Sequence, residues 1–163
     1  MDEALRAIIL NLLTHHNIMT LATVRPDGFP QATTVYYVNE GLTLYFATDP
    51  TSQKAGNIKL NNKVSVAITG ETENANKLKA LSLSGIAAKV TDPTRVHDVQ
   101  ISLFKAVPRA KRFAPTDAKQ LVVYSITPIA MSLVDYASGY GKTFPIEVER
   151  DLRANSLMPP LLT

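Results

Sequence analysis

The chain has 163 residues and a mass of 17.8 kDa, with 45% hydrophobic and 19% charged residues, which suits one globular domain with a sizeable core. It has no cysteine, which excludes disulfides and thiolate metal sites, and no apolar run approaches the roughly 18 residues of a membrane span. The net charge is +3; apart from Arg109-Ala-Lys111-Arg112, the basic residues are scattered, and aromatic residues do not interleave with them. No nucleic-acid or membrane partner is therefore expected.

The first predicted element is an amphipathic helix over about residues 2–16. Its apolar residues recur at the spacing of one helical face; they are Leu5, Ile8, Ile9, Leu12 and Leu13. Acidic residues at its start argue against a secretory signal, so a cytoplasmic protein is expected. His15 and His16 end the helix, where capping is the ordinary role of histidine. Since His97 stands alone elsewhere, no three-ligand metal set is expected.

Three antiparallel strands joined by short turns are predicted next. Residues 18–24 are rich in β-branched and apolar side chains, and the turn sequence Arg25-Pro-Asp-Gly28 follows them. The return strand covers residues 30–39. A second turn at Asn39-Glu-Gly41 leads into a strand at residues 42–47.

A polar corner at residues 48–54 ends the third strand and opens a short helix that runs to Asn61. Free backbone N–H groups gather at a helix start, where the dipole is positive, so the corner suits an anion. Ser52 is the natural N-cap, and Thr48 can bend back over the same amides. Lys54 lies in the first turn, where a cation is unfavourable unless an anion compensates it. An ordinary connection with Lys54 in solvent is the alternative that this segment leaves open.

Two more strands follow the corner. The sequence predicts a strand at residues 64–68, an exposed polar hairpin loop at 70–76 and an alternating strand at 81–90. Gly85, in the middle of the last strand, predicts a bulge or a point of close backbone approach. A ligand or a partner subunit can sit against such a point.

A further helix, a loop and a final strand complete the predicted elements. Asp92 precedes a proline at the start of the helix. Residues 107–119 form a basic loop, which is either a solvated connection or a contact for phosphate or a second subunit. The strand at 121–135 is interrupted near Pro128, which predicts an edge or a bulge there. Aromatic rings in the tail, 136–163, either cover a flat ligand or pack on the body of the protein.

Short antiparallel strands interrupted by two helices favour a small β-barrel with flanking helices over a sandwich. The expected fold class is therefore mainly β, a six-stranded antiparallel barrel in a single domain. Its parts are an N-terminal helix at 1–17, the barrel at 18–135 and a tail at 136–163. The interior of such a barrel is filled by side chains, so a sizeable ligand has to bind outside it, at a dimer seam.

The order of these motifs resembles the pyridoxamine 5'-phosphate oxidase-like family of FMN-binding split barrels. The matching segments are Arg25-Pro-Asp-Gly28-x-Pro30, Leu-Tyr-Phe-Ala-Thr48-Asp-x-x-Ser52-x-Lys54 and Asn61-Asn-Lys-Val64-Ser-Val, with a looser match through Ser84-Gly85. The similarity covers most of residues 18–135. It favours the anion-binding interpretation of the corner.

The resemblance implies a homodimer that binds FMN at the subunit interface. The residues that it assigns to the flavin ring are Thr33, Thr34, Val35 and Tyr36. The residues that it assigns to the phosphate are Thr48, Ser52, Gln53 and Lys54. The second subunit is expected to supply residues near Leu83, Ser84 and Gly85. A phosphate needs several N–H and O–H donors and a cation, and a helix start with a lysine provides them.

The chain departs from the vitamin-forming oxidases of this family. Thr33, Val38 and Gln53 stand where those enzymes have cations, so the charge of a phosphate is less well matched. Either another cation completes the site or flavin affinity is reduced; the candidate cations are Arg109, Lys111, Arg112 and Lys142. The chain has no tryptophan, and the tryptophan and arginine that those oxidases use for the pyridoxal substrate are missing. A true pyridoxamine phosphate oxidase is therefore not expected.

The primary hypothesis is an FMN-dependent oxidoreductase of unknown substrate, in which the cofactor supplies the hydride or electron transfer. No catalytic residue is identified; Tyr36 and Tyr140 are candidates for contact with the ring or substrate, with ordinary packing as the alternative. The second hypothesis is a non-catalytic flavin, deazaflavin or haem carrier or sensor. A haem would need His97, His15 or His16 as its axial ligand. The third is a structural dimer with a degenerate site.

Overall fold

The computed structural model describes residues 3–70, 74, 78–108, 121–138 and 143–148. Its helices are α1 (Glu3–His15), α2 (Gln53–Leu60) and α3 (Pro93–Ala106), with a short 3-10 helix at Tyr136–Ser138. Its strands are β1 (Ile18–Val24), β2 (Pro30–Tyr36), β3 (Val38–Glu40), β4 (Thr43–Thr48), β5 (Lys63–Thr69), β6 (Lys79–Lys89), β7 (Val122–Asp135) and β8 (Thr143–Glu147). Most of the predicted hairpin loop, the basic loop after Pro108, and Tyr140 lie outside the described residues.

The strands form one antiparallel sheet with the path β2-β1-β5-β6-β7-β4-β3, and β8 pairs with β7 off this path. The two end strands of the path, β2 and β3, are consecutive in the chain and separated by Tyr37 alone, so the sheet curls on itself. This is the mainly β split barrel with flanking helices that the sequence predicts. The predicted number of six strands is wrong, because the single strand expected at 30–39 is divided at Tyr37 and the path has seven.

Tyr37 divides this strand because its side chain anchors α1. The ring is fully buried, and its hydroxyl donates a hydrogen bond of 3.0 Å to the backbone carbonyl of Leu13. Its backbone N–H donates to the carbonyl of Asn17 at 2.9 Å. Burial raises the pKa of the Tyr37 hydroxyl well above its usual range, so this group stays protonated as a donor. The C-terminal end of α1 is thereby tied to the barrel.

Buried and exposed residues alternate along the strands, so the sheet has a buried face and an outer face. In β5, for example, Val64, Val66 and Ile68 are buried and the residues between them are exposed. The rings of Phe46 and Tyr124 stack in the main core with centroids 5.5 Å apart. A second, smaller core lies under α3 and consists of Val99, Leu103 and Val123.

Gly85 and Pro128 face each other where the pairing of β6 and β7 shifts register. A Cβ on Gly85 would lie 2.8 Å from the carbonyl oxygen of Thr127, so the close approach of β7 requires glycine. Proline lacks an N–H, and Pro128 falls between the part of β7 that pairs with β4, up to Ile126, and the part that pairs with β8, from Ala130. The predicted bulge is confirmed, and the backbone that approaches Gly85 belongs to the chain itself.

β8 is a strand that the sequence did not predict, because its residues were assigned to the tail. Phe144 lies opposite Leu133, and Ile146 lies opposite Met131 and is buried. Its Pro145 suits an edge strand, where one side of the backbone needs no ladder bonds.

None of the helices in the described part of the chain combines the length and the apolar character that a membrane span requires.

Candidate functional site

The corner between β4 and α2 brings a lysine and two hydroxyls together at the start of a helix. Oγ of Ser52 lies 3.1 Å from Oγ1 of Thr48, and Nζ of Lys54 donates to the same Thr48 oxygen at 3.5 Å. Thr48 is buried at the end of β4, whereas Ser52 and Lys54 are half-buried. The three polar groups therefore converge at a place that solvent and a ligand can reach.

Ser52 caps α2 as the sequence predicts. Its backbone is extended, with φ −62° and ψ 148°, and its side chain accepts a hydrogen bond of 3.4 Å from the backbone N–H of Ala55. The first turn of α2 carries no acidic residue, so no side chain of that turn neutralises the positive end of the dipole. The hydroxyl of Thr48 contacts Ser52 and Lys54 and not the helix amides that the sequence suggested.

The corner contains an acidic residue, Asp49, whose carboxylate is hydrogen-bonded by Thr51. Oδ1 of Asp49 accepts hydrogen bonds from the backbone N–H of Thr51 at 2.7 Å and from its hydroxyl at 2.6 Å. These two bonds hold the pKa of the Asp49 carboxyl below its usual range, and Lys54 adds a smaller attraction. The ion pairs found among the described residues do not include Lys54. Its ammonium therefore forms no close ion pair with a carboxylate in that part of the chain.

Gln53 is joined to β1 and β2 by a network of side-chain amides. Nε2 of Gln31 donates to Oε1 of Gln53 at 2.6 Å. Nδ2 of Asn57 donates to Oε1 of Gln31 at 3.0 Å and to Oγ1 of Thr23 at 2.9 Å. Asn57 and Thr23 are buried, with 2% and 1% of their surface exposed. Sequence patterns did not identify this network, because its members lie 22 to 34 positions apart in the chain.

The four residues assigned to the flavin ring alternate between the two faces of β2. Thr34 and Tyr36 are exposed, whereas Thr33 and Val35 are half-buried. A flat ligand lying along one face meets the side chains of one pair only, together with the backbone of all four. β1 is the single strand that pairs with β2 within the described residues, so the second edge of β2 is not used by another strand there.

The third predicted group, around Ser84, is also divided between the faces of its strand. Ser84 is exposed on the outer face, while Leu83 and Gly85 are buried. Small, uncharged side chains surround Ser84 on β5, β6 and β7, and we call this surface the small-residue face; it consists of Ser65, Ala67, Ser82, Ser84, Ala130 and Ser132. A second molecule can approach the sheet closely at this surface.

The remaining candidates from the sequence are four cations and three histidines. The candidate cations Arg109, Lys111, Arg112 and Lys142 lie outside the described residues. His15 and His97 are exposed on α1 and α3, and His16 is half-buried. A ring N–H of His15 donates to the carbonyl of Asn11 at 2.8 Å, in keeping with the capping role expected for it. Over the described ranges, no cluster of three or more histidine, aspartate or glutamate side chains is placed to hold a metal ion.

Comparison with known proteins gives a family match and several structural neighbours. The sequence profile of pyridoxamine 5'-phosphate oxidase matches residues 1–135. An F420 reductase is 27% identical with a TM-score of 0.60, and the alignment covers 74% of this chain and 93% of the reductase. No curated protein sequence gave a significant match.

Two further solved structures share the fold at lower identity. A haem-binding protein from Mycobacterium smegmatis is 21% identical with a TM-score of 0.72, over 90% of this chain and 58% of that protein. A FAD-binding protein from Mesorhizobium loti is 18% identical with a TM-score of 0.66, over 82% of this chain and 94% of that protein. The names of these three neighbours thus refer to three different flat molecules, F420, haem and FAD, on a similar fold.

Proposed function

The chain belongs to the pyridoxamine 5'-phosphate oxidase family, and from this membership we propose that it binds FMN and acts as an oxidoreductase through that flavin. The observation that carries the proposal is the corner at the start of α2, where Oγ of Ser52 and Nζ of Lys54 lie 3.1 and 3.5 Å from Oγ1 of Thr48. In a member of this family, such a cluster fits the phosphate of the cofactor.

The chemistry of the corner suits a phosphate. The phosphate of FMN is an anion with several acceptor oxygens, and hydroxyl groups, helix amides and an ammonium are the donors that bind it best. Lys54 forms no close ion pair in the described ranges, so no ion pair has to break when it binds the phosphate. With Thr33, Val38 and Gln53 in place of cations, we expect weaker FMN binding than in the vitamin-forming oxidases.

For the flavin ring, we propose a position along β2. The edge of an isoalloxazine ring carries donors and acceptors that can pair with strand backbone, and β2 has one edge without a strand partner within the described ranges. The exposed side chains of Thr34 and Tyr36 would line one face of the ring. When bound, the flavin would supply the hydride or electron transfer; this chain would bind it, orient it and limit its access to solvent.

We also propose a homodimer with the cofactor at the subunit interface. The small-residue face supports this arrangement, because an uncharged sheet surface without bulky side chains allows two backbones to approach. Ser84→Arg would place a charge in its centre, so the variant should be a monomer by light scattering and bind less FMN. The matched control is Ser102→Arg on the exposed side of α3, which should remain dimeric. A dimeric, fully loaded Ser84→Arg variant would contradict the proposed interface.

The decisive experiment is the absorption spectrum of the freshly purified protein, followed by heat release and mass analysis of the released cofactor. Flavin bands and the mass of FMN are the expected result. A colourless protein that also fails to bind added FMN would overturn the proposal and favour a structural dimer. Turnover is then tested by bleaching of the flavin bands with NADH or NADPH under anaerobic conditions.

A deazaflavin is the second candidate, because one of the neighbours is an F420 reductase at 27% identity. The same mass analysis distinguishes a deazaflavin from FMN. A Soret band would instead indicate haem, the ligand named for another neighbour. In that case alanine variants of His15, His16 and His97 would identify an axial ligand by the loss of haem affinity. A cytoplasmic location stays a prediction from the sequence.

A further inference from the structure

We propose that Gln31 is a positioning residue, anchored by Asn57, which turns the amide of Gln53 so that its N–H groups face the cofactor phosphate. The inference rests on the proposed FMN function and adds residues that the motif resemblance did not assign. It concerns how a neutral side chain serves the phosphate at a position where the vitamin-forming oxidases have a cation.

The donors and acceptors of the network follow a fixed order from Asn57 to Gln53. Asn57 donates both hydrogens of Nδ2, one to Thr23 at 2.9 Å and one to Oε1 of Gln31 at 3.0 Å. Since the oxygen of the Gln31 amide is accepting, its nitrogen is the atom that donates to Oε1 of Gln53 at 2.6 Å. The oxygen of Gln53 therefore points towards β2, and its Nε2 points away from Gln31. A side-chain amide carries one acceptor oxygen and one donor nitrogen, so the outer end of the network is a donor.

The base of the network is buried and fully hydrogen-bonded. Asn57 and Thr23 are buried, and the described residues include no buried side-chain polar atom without a hydrogen-bond partner. Gln31 is half-buried, and Gln53 is exposed. A free glutamine at a helix start samples many rotamers and both amide orientations, which disfavours binding. The network fixes the amide before the ligand arrives, so a neutral donor is held where an anion can accept from it.

The test compares the affinities of FMN and riboflavin, which differ in the phosphate alone. In Gln31→Met, which keeps the length of the side chain but removes its hydrogen bonds, we expect FMN affinity to fall about five-fold, the value of one neutral hydrogen bond. Riboflavin affinity should stay unchanged, because the ring site is not altered. Gln31→Glu accepts only, so it should turn the Gln53 amide around and lower FMN affinity further. Asn39→Ala, which removes an amide from the β3–β4 turn, is the control.

A double-mutant cycle tests whether Gln31 acts through Gln53. Gln53→Met alone should lose about as much FMN affinity as Gln31→Met, and the double variant should lose little more than either. Equal losses for FMN and riboflavin in Gln31→Met would indicate a merely structural role and would overturn the inference, as would fully additive losses. If the unaltered protein binds FMN no better than riboflavin, the phosphate assignment and this inference both fail. If it binds neither flavin, the proposed function fails.

Discussion

The starts of α2 and α3 share two features, a capping side chain and a cation in the first turn, but different groups balance their charges. Ser52 caps α2 with a neutral hydroxyl, whereas Asp92 caps α3 with a carboxylate that accepts from the backbone N–H of Thr94 at 3.0 Å. Lys54 has no ion pair within the described ranges, whereas Arg95 pairs with Glu40 and lies 4.7 Å from the centre of the Tyr45 ring.

This difference separates a structural helix start from a candidate ligand site. At α3 the chain itself supplies the carboxylate of Asp92 to the positive end of the helix dipole. It also supplies the carboxylate of Glu40 and the ring of Tyr45 to the guanidinium of Arg95. At α2 the hydroxyls of Ser52 and Thr48 are uncharged, and the carboxylate of Asp49 is bonded to Thr51 and forms no ion pair with Lys54. Both starts place positive charge at the same point, but at α2 an external anion would complete the balance.

The largest effect is expected from reversing the charge of Lys54. In Lys54→Glu, the loss of a charged hydrogen bond and the added repulsion should weaken FMN binding by about 3 kcal/mol, a factor of about a hundred. Lys59→Glu, in the last turn of the same helix, is the matched control and should change the affinity little. Fluorescence titration measures both. Unchanged FMN binding in Lys54→Glu would place the phosphate elsewhere.

Exchanging the two caps should give the next largest effect. Ser52→Asp gives α2 the cap of α3; the helix should stay as stable, because aspartate is a good N-cap, but the carboxylate should repel the phosphate and lower FMN affinity about ten-fold or more. Asp92→Ser should leave FMN affinity unchanged. Thermal unfolding and FMN titration are measured on both variants. A Ser52→Asp variant with full affinity would contradict a phosphate at this helix start.

Removing the cation of α3 should affect stability and not binding. Arg95→Met breaks the contacts with Glu40 and Tyr45, and because these groups are partly exposed we expect a loss of about 0.5–1 kcal/mol in the free energy of unfolding. Denaturant unfolding measures this loss, and Lys105→Met in the last turn of α3 is the control. If Arg95→Met lowered FMN affinity strongly, the two helix starts would not differ in the way described.

The smallest effect concerns the ionisation of Asp49. Its pKa is lowered by the two hydrogen bonds from Thr51, so its contribution to stability is present above the usual carboxyl pKa and is lost as the pH falls through the lowered value. Thr51→Val removes the hydroxyl donor and should raise the pKa of Asp49 towards its usual value. An NMR titration of the carboxyl carbon measures the change, with Thr69→Val on β5 as control. An unchanged pKa would assign the shift to the backbone N–H alone.

Local chemistry explains why much of the fold could be predicted. β1 occupies the predicted residues 18–24, because its composition and the following turn define both ends. The cap at Ser52, the start of α3 after Asp92 and the bulge at Gly85 were also predicted, since each depends on neighbouring residues. β8 was missed because a five-residue strand containing proline has little pattern of its own, and pairing with β7 supplies its hydrogen bonds.

By itself, the sequence determined the helices, most strands, the polar corner and the motif order that resembles the family, because these follow from periodicity, turn chemistry and capping within a few residues. The tertiary structure alone decided the division of a strand at Tyr37, which depends on a hydrogen bond to Leu13. It also decided which of the predicted site residues face outwards and which amide supports Gln53. Those features depend on contacts between residues distant in the chain, and only the curled sheet brings such residues together.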